Sequence, residues 1–350
     1  MEKAAYRIID ANFNRAREAL RVIEDFCRFA LNSSILAGRT KDLRHRLSTT
    51  ISKLDSGKLL ASRDTQNDVG VGQVAKVSVS RNNLIDALTA AFKRLPEALR
   101  VISEAIKPFN AESAGEIENI RYAGYTLEKD VTFFADTQSR FADVRLYIII
   151  CSNLPEEVFG LAENCIRGGA DCIQLRSKNI NSDDYFALAE EFVKICKNGN
   201  VLSVINDRAD IAIACGADGM HLGQNDLPVE QARKLQLGPL IIGKSTHSAA
   251  QLASAIAELP AYVSLGPIFA TPTKPQAQPV TLDYVKQSLP ILTDTGIHHV
   301  AIGGITFENI DSVLSAGATT VAVSSAITLS PDPGAACRKM KDKIIRKIET

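Results

Sequence analysis

Three short segments of the chain rhyme, and their spacing constrains the fold more than any other feature. They are Gly169-Ala-Asp-Cys-Ile-Gln-Leu-Arg, Gly216-Ala-Asp-Gly-Met-His-Leu-Gly and Gly317-Ala-Thr-Thr-Val-Ala-Val-Ser. In each, a glycine closes a helical pattern and a strand-like run follows at once. The spacings of 47 and 101 residues fit two and four strand–helix units of about 25 residues each. Further strand-like runs fall at 144–151, 201–205, 240–243, 262–265 and 298–302. Eight such units predict an α/β fold, a (β/α)8 TIM barrel, over residues 142–350. An open doubly wound sheet usually has fewer units.

The first part of the chain, residues 1–135, follows a different rule. Apolar positions Phe13, Ala16, Leu20, Ile23, Cys27 and Ala30 form a helical stripe, and Phe92, Leu95, Leu99, Ile102, Ile106 and Phe109 form another. Both contain Glu-Ala-Leu-Arg-Val-Ile (18–23 and 97–102), each preceded by an arginine, Arg15 and Arg94. Two copies are too few for a solenoid, so they predict two similar helices in an all-α bundle, with further helices over 36–54 and 116–129. Residues 56–80 read as a long loop, and the helical pattern fades over 133–141, where the domain boundary is expected.

Composition narrows the functional classes. The chain has 40 basic and 40 acidic side chains, so no net field draws it to nucleic acid or to an anionic membrane. Its longest apolar run, 146–151, is far short of a membrane span, and the N-terminus lacks a signal-peptide pattern. Seven cysteines, without a Cys-x-x-Cys, read as reduced and mostly buried thiols of a cytoplasmic protein. Nothing in the sequence sets the oligomeric state, and a homo-oligomer stays open.

In a barrel of this kind chemistry gathers where strands end and helices begin. Those places carry Gln174-Leu175-Arg176-Ser177-Lys178, Asn206-Asp207-Arg208, Gly223-Gln224-Asn225-Asp226, Lys244-Ser245-Thr246-His247, the loop 266–274 ending Thr271-Pro272-Thr273-Lys274, Gly303-Gly304 and Ser324-Ser325. Arg176, Lys178 and Lys274 around the carboxylates of Asp207 and Asp226 suit a diphosphate chelated through Mg²⁺. Hard oxygen ligands favour magnesium over zinc. Backbone N–H groups at Gly303-Gly304 and Ser324-Ser325 suit a monophosphate. Each signal has a plainer reading: Asp207 as a helix N-cap, Thr271-Pro272-Thr273-Lys274 as a proline-stiffened turn, Gly303-Gly304 as a tight turn, and His221 as a hydrogen-bonded core residue. His247 lies near the same rim, without an assigned role.

The strings Gln174-Leu-Arg-x-Lys178, Ile205-Asn-Asp-Arg208, Gly219-x-His-Leu-Gly-Gln-x-Asp226, Ser245-Thr-His247, Gly266-Pro-x-Phe-x-Thr-Pro-Thr-Lys274 and Ile302-Gly-Gly-Ile305 resemble the thiamine-phosphate synthase family over residues 144–345. The resemblance implies joining hydroxymethylpyrimidine diphosphate to a thiazole phosphate with release of diphosphate. It implies that residues 174–178, Asn206, Ser245 and Lys274 hold the pyrimidine diphosphate, and that Asp207 and Asp226 hold Mg²⁺. Thr271, Pro272, Thr273, Gly304, Ser324 and Ser325 would hold the thiazole phosphate, while Arg176, Lys178 and Lys274 would act in catalysis. Ser177 departs from the family, where many relatives have Glu. A related barrel, the thiazole tautomerase, needs no Mg²⁺ or diphosphate site, and intact Lys178, Asp207, Asp226 and Lys274 argue against it.

The stretch 9–25 together with Ser62-Arg-Asp-Thr-Gln-Asn-Asp-Val-Gly70 resembles a small family fused to or neighbouring this synthase and associated with phosphorylating hydroxymethylpyrimidine phosphate. That would make ATP a further partner and Arg15, Arg21, Asp25, Arg63, Asp64 and Asp68 its site candidates. The competing readings are a solvated ion-pair stripe at Arg17, Arg21, Glu24 and Arg28, and a non-catalytic dimerisation module.

Overall fold

A computed structural model describes residues 1–69, 82–271 and 278–349, and the chain divides into two compact units, Met1–Thr132 and Phe133–Thr350. Gly70, Pro272, Thr273 and Lys274 therefore lie outside the described residues.

The first unit is helical: α1 (Glu2–Phe29), α2 (Ser34–Ser52), α3 (Ser56–Ala61), α4 (Leu84–Ile106) and the greater part of α5 (Ala111–Phe141). The repeated string explains the packing of α1 along α4. Ala19, Leu20 and Ile23 are buried from one helix, Ala98, Leu99 and Ile102 from the other, and Arg21 and Arg100 stay outside. The structure corrects three sequence readings. Helix α1 starts at Glu2 because Tyr6 and Ile9 continue its buried stripe. Residues 56–61 form α3 and are not loop, since the Asp55 carboxylate caps Lys58 N at 3.0 Å and Leu59 is buried. Helix α5 neither stops at 129 nor fades over 133–141: no glycine or proline interrupts 125–141, and the buried stripe runs on through Val131, Phe134 and Phe141.

The second unit is a closed barrel of eight parallel strands in sequence order: β1 (Leu146–Ile150), β2 (Cys172–Leu175), β3 (Leu202–Asn206), β4 (Gly219–Leu222), β5 (Ile241–Thr246), β6 (Tyr262–Leu265), β7 (His298–Ile302) and β8 (Val321–Val323). The three rhyming segments share one structural cause. Gly169, Gly216 and Gly317 take φ of +89°, +68° and +98°, and the next residue's N–H reaches back to Cys165, Ala212 and Val313 O respectively. This left-handed cap ends each helix and turns the chain into a strand. The aspartates that follow secure the neighbouring strand: Asp171 accepts from Arg145 N and Leu146 N at 2.9 Å, and Asp218 from Ser203 N at 3.0 Å.

Alternation along the strands sends one set of side chains inward. Tyr147, Ile149, Cys172, Val204, Ile241, Tyr262, Val300 and Ala322 fill the interior. The same parity carries Gln174, Asn206, His221 and Ser245 to the upper layer, at the C-terminal ends of their strands. The lower end is filled by the last turns of α5. Phe141 is 1% exposed and stacks on Tyr262 with ring centroids 4.5 Å apart. Beside it, Gln138 Nε2 donates to Ala261 O at 3.0 Å and Arg140 pairs with Asp218.

Candidate active site

Asp207 leaves β3 with φ +64°, a conformation that Asp tolerates better than most residues. Its N–H donates to His221 O at 2.9 Å, tying the turn to β4. The N-cap reading of Asp207 does not hold: the next helix, Ala209–Ala214, is preceded by Arg208 and has no side-chain cap. The carboxylate instead comes within hydrogen-bonding reach of Asp226. Asp226 is held in turn by Gly223 N, which donates to Oδ2 at 2.6 Å. Burial first, then the neighbouring Asp226 carboxylate, push the Asp207 pKa up to about 6, while the charges of Lys178 and Arg176 pull it down. Two carboxylates forced together beside two cations form a site that wants a divalent cation.

Among the described residues no cluster of three or more His, Cys, Asp or Glu side chains could hold a metal. A closed zinc-type cage is thus missing there, whereas one or two carboxylates completed by phosphate oxygens and water suit Mg²⁺. The residues present fit the ion implied by the sequence.

Around this pair the strands present polar groups. Gln174 and Asn206 are buried at the ends of β2 and β3, and Ser245 is buried near the end of β5. Arg176 is half-buried with Nη1 3.8 Å from Cys151 Sγ, and Lys178 is exposed. Ser177 donates to Ser152 O at 2.7 Å, which ties the β2 loop to the β1 loop. Leu175 has the opposite parity to Gln174 and is fully buried; its carbonyl accepts from Tyr185 OH at 3.3 Å. Its side chain keeps the strand in place, and the loop that follows carries the charges.

Gly303 and Gly304 take φ of +104° and +64°. A Cβ on Gly303 would fall 2.4 Å from Pro267 Cα, and one on Gly304 would fall 2.5 Å from Ala270 O. Only glycine lets the β6 and β7 loops approach this closely. The N–H groups of Gly304 and Ser325 have no acceptor among the described residues, which leaves them for an anion. Ser324 Oγ donates to Ile149 O at 2.8 Å, and Ser325 is exposed. Thr271 is half-buried at the end of the described part of its loop.

Sequence reasoning missed two residues here and gave a third, Lys244, no role. Tyr147 and Tyr262 join hydroxyls at 2.9 Å inside the barrel, and Lys244, 7% exposed, donates to Gly223 O at 2.9 Å behind the Asp226 loop. Inward parity was the available signal for the tyrosines. Lys244 has outward parity, and only its long stem brings the amine back to the rim. His221 is buried and bonded at both ring nitrogens, and His247 Nδ1 contacts Gly266 O.

In the first unit the candidates separate. Arg63 grips the buried Asp10 through two bonds of 2.7 and 2.8 Å, Arg7 donates to Asp64 O at 2.6 Å, and Arg7 lies 3.5 Å from Asp68. Arg15 meets Asn12 at 3.4 Å. Arg21 and Asp25 lie about 16 Å or more along α1 from Asp10. There they join the Glu24 and Arg28 ion-pair stripe. Arg7 and Asp10 are the additions.

A closed parallel barrel with its polar side chains gathered at the C-terminal rim places the chain among the (β/α)8-barrel enzymes, and paired carboxylates ringed by cations point to those that handle phosphorylated small molecules. Residues 146–327 match the family described as thiamine monophosphate synthase, and residues 7–130 match the ThiD2 family. The thiamine-phosphate synthase of Gloeobacter violaceus is 37% identical over 95% of this chain and 95% of its own length. That of Thermosynechococcus vestitus is 38% identical over 95% and 93%. The solved thiamine phosphate pyrophosphorylase of Pyrococcus furiosus is 27% identical with a TM-score of 0.54, covering 60% of this chain and 98% of its own. The chain belongs to the thiamine-phosphate synthase family and is a transferase of thiamine biosynthesis. Among the described residues no helix is long and apolar enough to cross a membrane.

Proposed function

We propose that the barrel joins hydroxymethylpyrimidine diphosphate to a methylthiazole phosphate, or its carboxylated form, at this rim, releasing diphosphate, in the cytoplasm. The observation that carries the reading is the meeting of Asp207 and Asp226 beside Arg176 and Lys178. Mg²⁺ held by the two aspartates would offset the charge that grows on the departing diphosphate. Arg176, Lys178 and Lys274 hold the same oxygens electrostatically. Gln174, Asn206 and Ser245 orient the pyrimidine, whose amino group spreads positive charge from the exocyclic methylene and lets diphosphate leave before attack. Thr271, Pro272, Thr273, Gly304, Ser324 and Ser325 seat the thiazole phosphate and aim its ring nitrogen. No protein nucleophile is required.

The two anion sites are separable by kinetics. Lys274→Ala is expected to lower kcat with the pyrimidine diphosphate by on the order of 10²-fold and to leave the KM for thiazole phosphate nearly unchanged. Gly304→Val should raise that KM, because the niche closes on Ala270 O. A Lys274→Ala variant altered only in thiazole phosphate affinity would reverse the assignment.

The match at residues 7–130 favours a second reading for the first unit, as a kinase making the diphosphate from hydroxymethylpyrimidine phosphate and ATP. Arg63, Asp64 and Asp68, joined by Arg7 and Asp10, would be its centre. Given the monophosphate, ATP, Mg²⁺ and thiazole phosphate, the full chain should form thiamine phosphate. The Asp64→Asn/Asp68→Asn double variant should lose this activity and keep full activity on supplied diphosphate. Equal output from both substrates in that variant would return the unit to a dimerisation role.

A further inference from the structure

Inside the barrel runs an unbroken chain of polar side chains. Gln174 Nε2 donates to Tyr147 OH at 2.7 Å, Tyr147 OH and Tyr262 OH are 2.9 Å apart, and Tyr262 OH lies 3.0 Å from His221 Nδ1. His221 Nε2 lies 2.9 Å from Ser245 Oγ, which ends the chain. All five residues are buried, and they come from β2, β1, β6, β4 and β5. The packing around Tyr262 is arranged for this role. A Cβ on Gly243 would fall 2.1 Å from its ring carbon Cζ, so only glycine there admits the ring. From below, Phe141 stacks on it at an interplanar angle of 9°.

Counting protons gives the chain a direction. Burial pushes the pKa of both phenols up, so each keeps its one proton. With Gln174 donating to Tyr147, that hydroxyl donates to Tyr262, and Tyr262 donates to His221 Nδ1. His221 is then neutral with its proton on Nε2, donating to Ser245 Oγ, and Ser245 has its own proton left to give. At the other end the Gln174 amide, with its Nε2 committed to Tyr147, leaves Oε1 as an acceptor.

We propose that Tyr262 is a specificity-determining positioning residue, which through this relay presents an acceptor at Gln174 and a donor at Ser245 and so selects an aminopyrimidine over its oxo analogue. An amino N–H needs the acceptor and an unprotonated ring nitrogen needs the donor. The oxo analogue carries the opposite pattern, a carbonyl oxygen and a ring N–H, and meets a mismatch at both ends. The inference rests on the rim being the pyrimidine diphosphate site.

The test compares kcat/KM for the aminopyrimidine diphosphate and its oxo analogue, using the full chain and the isosteric variant Tyr262→Phe. Breaking the relay frees Gln174 and Ser245 to turn, and the preference for the amino substrate should fall by about tenfold or more. The KM for thiazole phosphate should stay within about twofold, which a general loosening of the barrel would not respect. Tyr147→Phe breaks the neighbouring link and should give the same result; it serves if Tyr262→Phe does not fold, as judged by its thermal transition. Unchanged discrimination in whichever variant folds overturns the proposal. Failure of the unaltered chain to make thiamine phosphate would be seen first, and would remove the reading of the rim together with this inference.

Discussion

Asp207→Asn is expected to lower condensation on the order of 10²- to 10³-fold while making the metal-free protein more stable at pH 7. The activity loss follows from removing half of a carboxylate pair that faces developing diphosphate charge. Asn also tolerates the φ of +64° at this position, so the turn should survive. The stability gain follows from linkage. Asp207 has an ordinary pKa of 3.8 that is raised to about 6 in the fold, so its ionised form costs stability above pH 6 and the cost disappears below pH 4. Because the group is partly solvated, the gain in Asn should be only about 1 kcal/mol. Mg²⁺ competes with the same proton, and its affinity for the unaltered protein should fall as pH drops below 6. Kinetics at saturating Mg²⁺ together with thermal denaturation without metal check both halves. Full activity in Asp207→Asn would remove this residue from the metal site, and Asp226→Asn provides the matching test.

Phe141→Ala should destabilise the barrel by about 3–5 kcal/mol, the usual range for emptying a buried aromatic site. Phe141 lies at the end of α5, and its ring fills the bottom of the barrel under Tyr262. The same contact predicts how the chain tolerates cutting. A fragment beginning at Ala142 loses Gln138, Arg140 and Phe141 together and should be recovered unfolded or aggregated. One beginning at Phe133 keeps them and should condense supplied pyrimidine diphosphate. Circular dichroism and turnover of the two fragments decide the matter. Equal folding of both would show that the α5 segment is dispensable to the barrel.

Much of the architecture was legible because it is local. A glycine that must adopt positive φ and the strand-like run that follows it are set by neighbouring backbone sterics, and three repeats of that pattern spaced the barrel correctly. The charged loops after β2, β3 and β4 were legible for the same reason, since strand ends on one rim follow from parallel order alone. Residues whose meaning depends on distant partners were not. Asp207 taken alone read equally well as an N-cap, and it took the uncapped start of the following helix to remove that reading. Arg21 and Arg63 looked like members of one site until the pitch of α1 separated them. The end of α5 read as fading helix, because nothing in residues 133–141 announces the cavity that Phe141 fills. Tyr262 stood in a plain apolar strand, and only the absent Cβ of Gly243, one strand away, lets its hydroxyl reach Tyr147 and His221. The sequence by itself determined the eight units, their order and the rim that carries the charged loops, since these follow from periodicity and turn sterics. Tertiary structure alone decided what seals the barrel floor and how the interior hydrogen bonds run, because those depend on side chains from different strands, up to 115 residues apart as Tyr147 and Tyr262 are.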